Sequence, residues 1–383
     1  RQPLFIVHPQ HPEFSLANPR VIERFFARAE AAPNVSVETG YFRSERRPET
    51  FRVVTLGGSS AAGFPYGYGA SLAGMLEQRL RRTFPERDIE VVTTAMSAIN
   101  SYSLLDFADE ILGLEPDAVL IYAGHNEFVG VLGVGSAFTS SRSPALTRLI
   151  MRLRGLTLYR VLESVLAPAP PAQAPTADDG TLMARVAAER RIASGSPLFE
   201  RGIDQFHGNL DALLGRFADA DVPVFIGTLV SNERGQPPFV SERTDAEWRQ
   251  RLDRGDELLA NRRVGEADAL AGRLVREDPT DAAAHFLQAR ALLARGEPEA
   301  ARVAFIRARD EDQLRFRAPS VFNDVIREVA GKRGASVVDV ETAFRRHADD
   351  GIIGDGLITE HLHPNLAGYF LLSDAFYAAM MAA

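Results

Sequence analysis

The sequence has no cysteine. That excludes disulfides, thiolate catalysis and cysteine-ligated zinc, and leaves the compartment open, because cysteine-free chains occur on both sides of a membrane. There is no run of about 18 apolar residues, so nothing reads as a helix that crosses a bilayer. An excess of basic charge is missing too: 43 Lys and Arg face 51 Asp and Glu, for a net charge of -8 and a pI near 5.6. Phosphate binding needs a basic face, and nucleic acid is therefore not an expected partner. What is present is ordinary for a protein with a core, with 45% hydrophobic and 25% charged residues over 383 positions. That length suits one large domain with insertions, or two domains. The chain begins at Arg1 rather than at methionine. The expectation is a trimmed or mature form that has lost a targeting segment, which favours an extracytoplasmic or membrane-associated setting over the cytoplasm.

After a mixed first fifty residues, with a helical stretch expected at "PRVIERFFARAEAA" (19–32), a rhythm sets in. Short, nearly continuous apolar runs at 51–58, 89–96, 117–124, 222–230 and 335–344 read as strands covered on both faces. Helical patterns separate them, among them "SLAGMLEQRLRRTF", "YSLLDFADEILGL" and "FERGIDQFHGNLDALLGRFADA". Alternating strand and helix predicts an α/β fold, a doubly wound, flavodoxin-like parallel sheet of five strands flanked by helices. Ligands of such sheets sit at the carboxyl ends of the strands. "GGSS" and "GHNE" occupy two of those ends.

Two insertions break the rhythm. Residues 128–200 contain an arginine-bearing amphipathic helix pattern at 143–166 and a Pro/Ala-rich linker, "APAPPAQAPTADDG". Such a helix covers the sheet or lids the pocket, and peripheral membrane contact through 145–166 is the other reading. In residues 241–314, "NRRVGEADALAGRLVREDPTD" is echoed by "ARGEPEAARVAFIRARDEDQ" at close to the ~34-residue period of tetratricopeptide repeats. Ala267, Ala300, Ala289 and Gly296 fall at the small-residue positions of this all-α segment. Helix pairs of this kind need neighbours to bury their faces. The unit is expected to pack on the body, either bracing it or taking a protein partner. The division expected is an N-terminal extension (1–50), a first core part (51–240) holding the 128–200 insertion, the helical insertion (241–314), and a second core part (315–383).

Near the C-terminus the polar cluster Glu360-His361-Leu362-His363 precedes a Pro-Asn turn and an apolar helix. A carboxylate three residues from a histidine is placed to accept its ring hydrogen bond, fix the tautomer and stabilise the imidazolium. A serine at a strand end, a distant histidine and an acid serving it are the parts of nucleophilic acyl transfer. Either serine of "GGSSAAG" fits that description.

"GGSSAAG", "TTAMSAINS", "YAGHNE" and "EHLHPN", in this order at successive strand ends, resemble the SGNH/GDSL hydrolase family. The resemblance covers roughly residues 50–130 and 220–383 outside the repeats. It implies a serine esterase or acyl hydrolase, or an acyltransferase, acting on an O-acyl ester of a carbohydrate, lipid or small metabolite, with no metal or organic cofactor. Residue by residue, Ser59 matches the nucleophile and Gly63 closes its motif. His363 matches the general base, and Glu360 stands at the position of the family's Asp. Asn126 matches the oxyanion-hole asparagine, with the backbone N–H groups of Ser59 and Ala98 completing the hole. Gly58 departs from the family's Asp, and Ala98 from a common glycine, tolerable at negative φ because only the N–H is used. Glu360 adds a methylene.

Other assignments compete. Ser60 is the alternative nucleophile. His361 is the alternative base, although its spacing from Glu360 in an extended loop puts the two side chains apart. His125 reads as a structural hydrogen-bonder. A metal site of His361, His363 and Glu127 would leave Ser59 and Asn126 without a role. Asn232 and Arg234, in the "SNERGQPPF" loop, read as substrate contacts or turn residues. The rival function is a catalytically weak, hydrolase-like binding protein that recruits a partner through the helical insertion.

Overall fold

The computed structural model describes residues 2–38, 40–136, 143–154, 156, 159 and 191–383. Five parallel strands make the main sheet: β4 (Thr50–Gly57), β5 (Asp88–Thr93), β6 (Ala118–Tyr122), β7 (Val224–Gly227) and β8 (Ser336–Val338). Their order is β5-β4-β6-β7-β8, the flavodoxin-like order expected of a doubly wound sheet. Val53, Val54, Leu56 and every residue of β6 are buried, as apolar runs covered by helices on both faces must be. The strand order reverses between β4 and β6. The crevice at that reversal, at the carboxyl ends, is where such a sheet accepts a ligand.

Three short strands, β1 (Phe5–Val7), β2 (Phe14–Ala17) and β3 (Phe42–Arg43), form a separate antiparallel sheet from the N-terminal residues. The helix expected at 19–32 is instead two 3₁₀ turns, Val21–Phe25 and Ala29–Ala31. A segment this short is marginal as a free-standing helix. Here it is pinned from outside, by Arg24 paired with Asp106 at 2.9 Å and with Glu110 on the neighbouring helix.

The flanking helices are α1 (Ser59–Ala62), α2 (Leu72–Thr83), α3 (Ser101–Leu112), α4 (Pro144–Leu153) and α5 (Pro197–Asp219). The second core part adds α10 (Ser320–Arg333), α11 (Val340–His347) and α12 (Leu366–Ala382). Helices α3, α5 and α10 pack together, and α2 packs with α12. The run 335–344, expected as one strand, ends as strand at Val338. Asp339 then accepts hydrogen bonds from Thr342 N–H at 3.1 Å and Thr342 Oγ1 at 2.7 Å and starts α11. Helix α4 buries Thr147 and Met151 and leaves Leu146 and Leu149 exposed. The Pro/Ala-rich linker at 167–180, and most of the run that follows α4 up to residue 166, lie outside the described residues.

Between them stand four helices, α6 (Ala246–Ala260), α7 (Val264–Glu277), α8 (Ala282–Ala294) and α9 (Pro298–Glu311), arranged as two hairpins. Trp248, Ala267, Leu274 and Leu287 make one small core; Phe286, Ala289, Ala301 and Phe305 make a second, closed by Ile352 of the body. Ala300 is exposed, and Ala301 is the buried counterpart of Ala267, one residue from the expected position. Gly296, also exposed, supplies a left-handed turn at φ 80 between α8 and α9. A second tie to the body is ionic. Arg309 of α9 reaches the buried Glu233, which also receives two hydrogen bonds from Arg345 of α11.

Candidate active site

Strand β4 ends at Gly57, where a Cβ would lie 2.3 Å from the Tyr122 carbonyl oxygen and 2.4 Å from the Ala61 Cβ. No side chain fits there, so glycine lets β4 and β6 stay paired while α1 begins immediately. Ser59 opens α1, and Gly63 stops it one turn later at φ 91. The small residues of "GGSSAAG" thus keep Ser59 half-buried at the reversal of strand order while Ser60 is buried.

The partner of Ser59 comes from more than three hundred residues away. Between α11 and α12 the chain forms a tight loop, closed by the Thr359 N–H bond to the His363 carbonyl at 2.8 Å and anchored by buried Leu362. Asn365 then caps α12 through Gly368 N–H at 3.0 Å. This loop holds His363 Nε2 2.7 Å from Ser59 Oγ. On its other side His363 Nδ1 meets Glu360 Oε1, which also accepts the His363 backbone N–H at 2.9 Å. Ser59, His363 and Glu360 therefore form one hydrogen-bonded line. Burial pushes His363 down to about 4, keeping its ring the free base at neutral pH.

His361 does not stand apart from Glu360. Its ring Nδ1 contacts Glu360 Oε2, and its backbone N–H donates to the same oxygen at 2.6 Å. The longer glutamate side chain folds back along its own loop, which the extended-loop picture omitted. His361 also packs between Phe239 and Phe316, with ring centroids 5.5 and 5.7 Å away.

Asn126 follows β6 and is buried; its Nδ2 donates to the Ile99 carbonyl at 3.0 Å, using one of two amide hydrogens. A Cβ on residue 58 would lie 3.1 Å from that nitrogen, a physical reason for Gly58 here. Gly58, Ser59, Asn126 and His125 line one small cavity with Ile99 and Tyr122–Gly124. Ala98 has φ 65, so the expectation of negative φ fails. An alanine in this left-handed region costs about 1–2 kcal/mol, and the conformation is held by Val131 N–H, which donates to the Ala98 carbonyl at 2.7 Å.

His125 is buried and accepts a hydrogen bond from Ala318 N–H at 3.1 Å; burial, with the His363 and Arg309 charges, pushes its ring down to about 3. Glu127 is not beside the two histidines of the loop as a ligand. It is fully buried and accepts hydrogen bonds from Ser101 N–H at 3.0 Å, Ser101 Oγ at 2.6 Å and the Gln205 amide. No cluster suited to a metal occurs among the described residues. Asn232 is buried and donates to the Glu360 carbonyl at 2.8 Å and to Asp355 at 2.6 Å, while its backbone N–H donates to the His361 carbonyl at 2.9 Å. It supports the acid loop and is closed to substrate. Arg234 is directed to Asp350 at 3.3 Å. Sequence reasoning missed Phe64, half exposed, with its ring 4.7 Å from that of His363. Its place right after Gly63 was the available signal.

Neither a protein-family model nor a curated protein matches this sequence. Solved structures do. An acetyl xylan esterase from Geobacillus stearothermophilus is 14% identical, with 86% of this chain and 94% of that one covered and a TM-score of 0.41. A G-D-S-L family lipolytic protein from Desulfitobacterium hafniense is 12% identical over 86% and 99%, with a TM-score of 0.38. A lipase/acylhydrolase from Enterococcus faecalis is 14% identical over 86% and 95%, with a TM-score of 0.37. The chain is similar to GDSL-type lipases and esterases. The fold itself is read from the strand order and the parallel pairing.

Proposed function

We propose that this protein is a serine hydrolase that cleaves, or transfers the acyl group of, an O-acyl ester of a carbohydrate, lipid or small metabolite. The observation that carries the reading is the 2.7 Å contact between Ser59 Oγ and His363 Nε2, with Glu360 on the far ring nitrogen. Ser59 Oγ attacks the ester carbonyl carbon as His363 Nε2 takes its proton. The carbonyl oxygen becomes an oxyanion, received by Ser59 N–H, Ala98 N–H and the remaining amide hydrogen of Asn126. The imidazolium is stabilised by Glu360, then returns its proton to the departing alkoxide oxygen, leaving an acyl-Ser59 ester. Water, activated by His363, releases the acid; a second hydroxyl in its place gives transfer. Every role falls to a protein group.

The test is covalent. A fluorophosphonate probe should label the wild-type protein at Ser59, and Ser59→Ala should lose both labelling and hydrolysis of p-nitrophenyl acetate while keeping the wild-type melting curve. Labelling that persists in Ser59→Ala and disappears in Ser60→Ala overturns the assignment.

A further inference from the structure

The proposed mechanism uses one of the two histidines in contact with Glu360. We propose that the other, His361, is a positioning residue that locks the Glu360 carboxylate in the plane His363 requires. The inference rests on the reading of Ser59, His363 and Glu360 given above.

A carboxylate has about four acceptor sites on its two oxygens. In Glu360, Oε1 accepts from the backbone and ring of His363 and Oε2 from the backbone N–H of His361, and the His361 ring Nδ1 lies against Oε2 at the remaining site. Such a lock has work to do here. Glutamate has one more side-chain torsion than aspartate, and the Glu360 side chain is 35% exposed. A freely rotating side chain of this type gives up rotamer entropy when held in one conformation, so a lock formed in advance favours the productive one. The lock must itself be rigid, and His361 is. Phe239 stands edge-on to its ring at an interplanar angle of 85°, Phe316 covers another side, and Asn232 N–H holds its carbonyl.

The charge state suits the role. Burial, with the His363, Arg317 and His125 charges around it, pushes His361 down to about 3. A neutral ring donating Nδ1–H holds Oε2 without neutralising the carboxylate. A cationic ring there would weaken the field that stabilises the His363 imidazolium and would repel it directly. His361 thus supplies geometry and leaves the negative charge to His363.

The experiment uses the full chain and p-nitrophenyl acetate, after fluorophosphonate labelling of the wild type. His361→Leu, which has no donor, should lower kcat roughly 10- to 100-fold, the scale of a misplaced catalytic group, with KM within about twofold. His361→Asn, whose side-chain N–H stands in for Nδ1–H, should recover most of kcat. Because His361 acts through Glu360, the double variant His361→Leu/Glu360→Gln should be no slower than Glu360→Gln alone. An independent readout needs no variant: NMR of ¹⁵N-histidine-labelled wild type should show both loop histidines protonated at Nδ1. Wild-type kcat in His361→Leu, multiplicative losses in the double variant, or a His361 proton on Nε2 overturns the inference while the Ser59 reading stands. A wild type that the probe does not label overturns both.

Discussion

Glu233→Gln removes one negative charge from the joint between the helical insertion and the body. The Glu233 side chain is 1% exposed and faces Arg309 of α9 at 3.2 Å and Arg345 of α11 at 2.8 Å, both themselves largely buried. Taking one partner from a buried ion pair costs about 3–5 kcal/mol, because the other charges stay desolvated. The lower end applies, since Arg345 keeps Glu341 at 2.9 Å and Arg309 keeps Asp310 at 2.9 Å. With an unfolding entropy of about 2.1 cal/mol/K per residue over 383 residues, a loss of about 3 kcal/mol lowers Tm by about 4 °C. The consequence extends to the site, because the preceding residue, Asn232, holds the Glu360 and His361 backbone. Scanning calorimetry and kcat/KM on p-nitrophenyl acetate, measured on the same preparations, should therefore fall together. Glu266→Gln, which breaks an exposed pair with Arg263 inside the insertion, is the control and should leave both unchanged. A Glu233→Gln Tm within about 1 °C of wild type refutes the reasoning, and the insertion is then a module resting on the body without bracing it.

Glu360→Gln should lower kcat/KM by roughly 10²–10³, less than the ~10⁴ of an enclosed triad acid, because its side chain is one-third exposed. Glu360→Asp should lose less than the Gln variant but fall short of wild type, since a shorter side chain cannot fold back to the backbone N–H groups of His361 and His363 and to the His363 ring together; equal rates for wild type and Gln would show that another acid serves His363. A pH profile of kcat/KM reports the free base of His363. Burial lowers its pKa from 6.5 to about 4, so the free base persists and activity should hold as pH falls below 6.5 and be lost along an acid limb centred near 4. An acid limb above 6.5 contradicts the burial argument.

Local chemistry determined much of this protein before any tertiary contact. Apolar runs at 51–58, 89–96 and 117–124 can only be satisfied as strands covered on both faces, and small residues after the first announce the close approach that Gly57 makes to Tyr122. Glu360 three residues before His363 already paired an acid with an imidazole, and Asn365 marked the start of α12. These are short-range facts, legible because the partners are neighbours in sequence or because a period repeats. What the fold alone decided depends on distance and direction. Ser59 and His363 meet because α12 packs on α2, the long helix after β4, and so carries the loop before it to the end of β4. The positive φ of Ala98 is imposed by Val131, and the role of Asn232 by a loop more than a hundred residues away. His361 and Glu360 are adjacent, yet their contact depends on a side chain folding back, which alternation along an extended strand does not describe. Helical periodicity in 19–32 yielded to the ion pairs of Arg24, because so short a helix has little stability of its own to set against them.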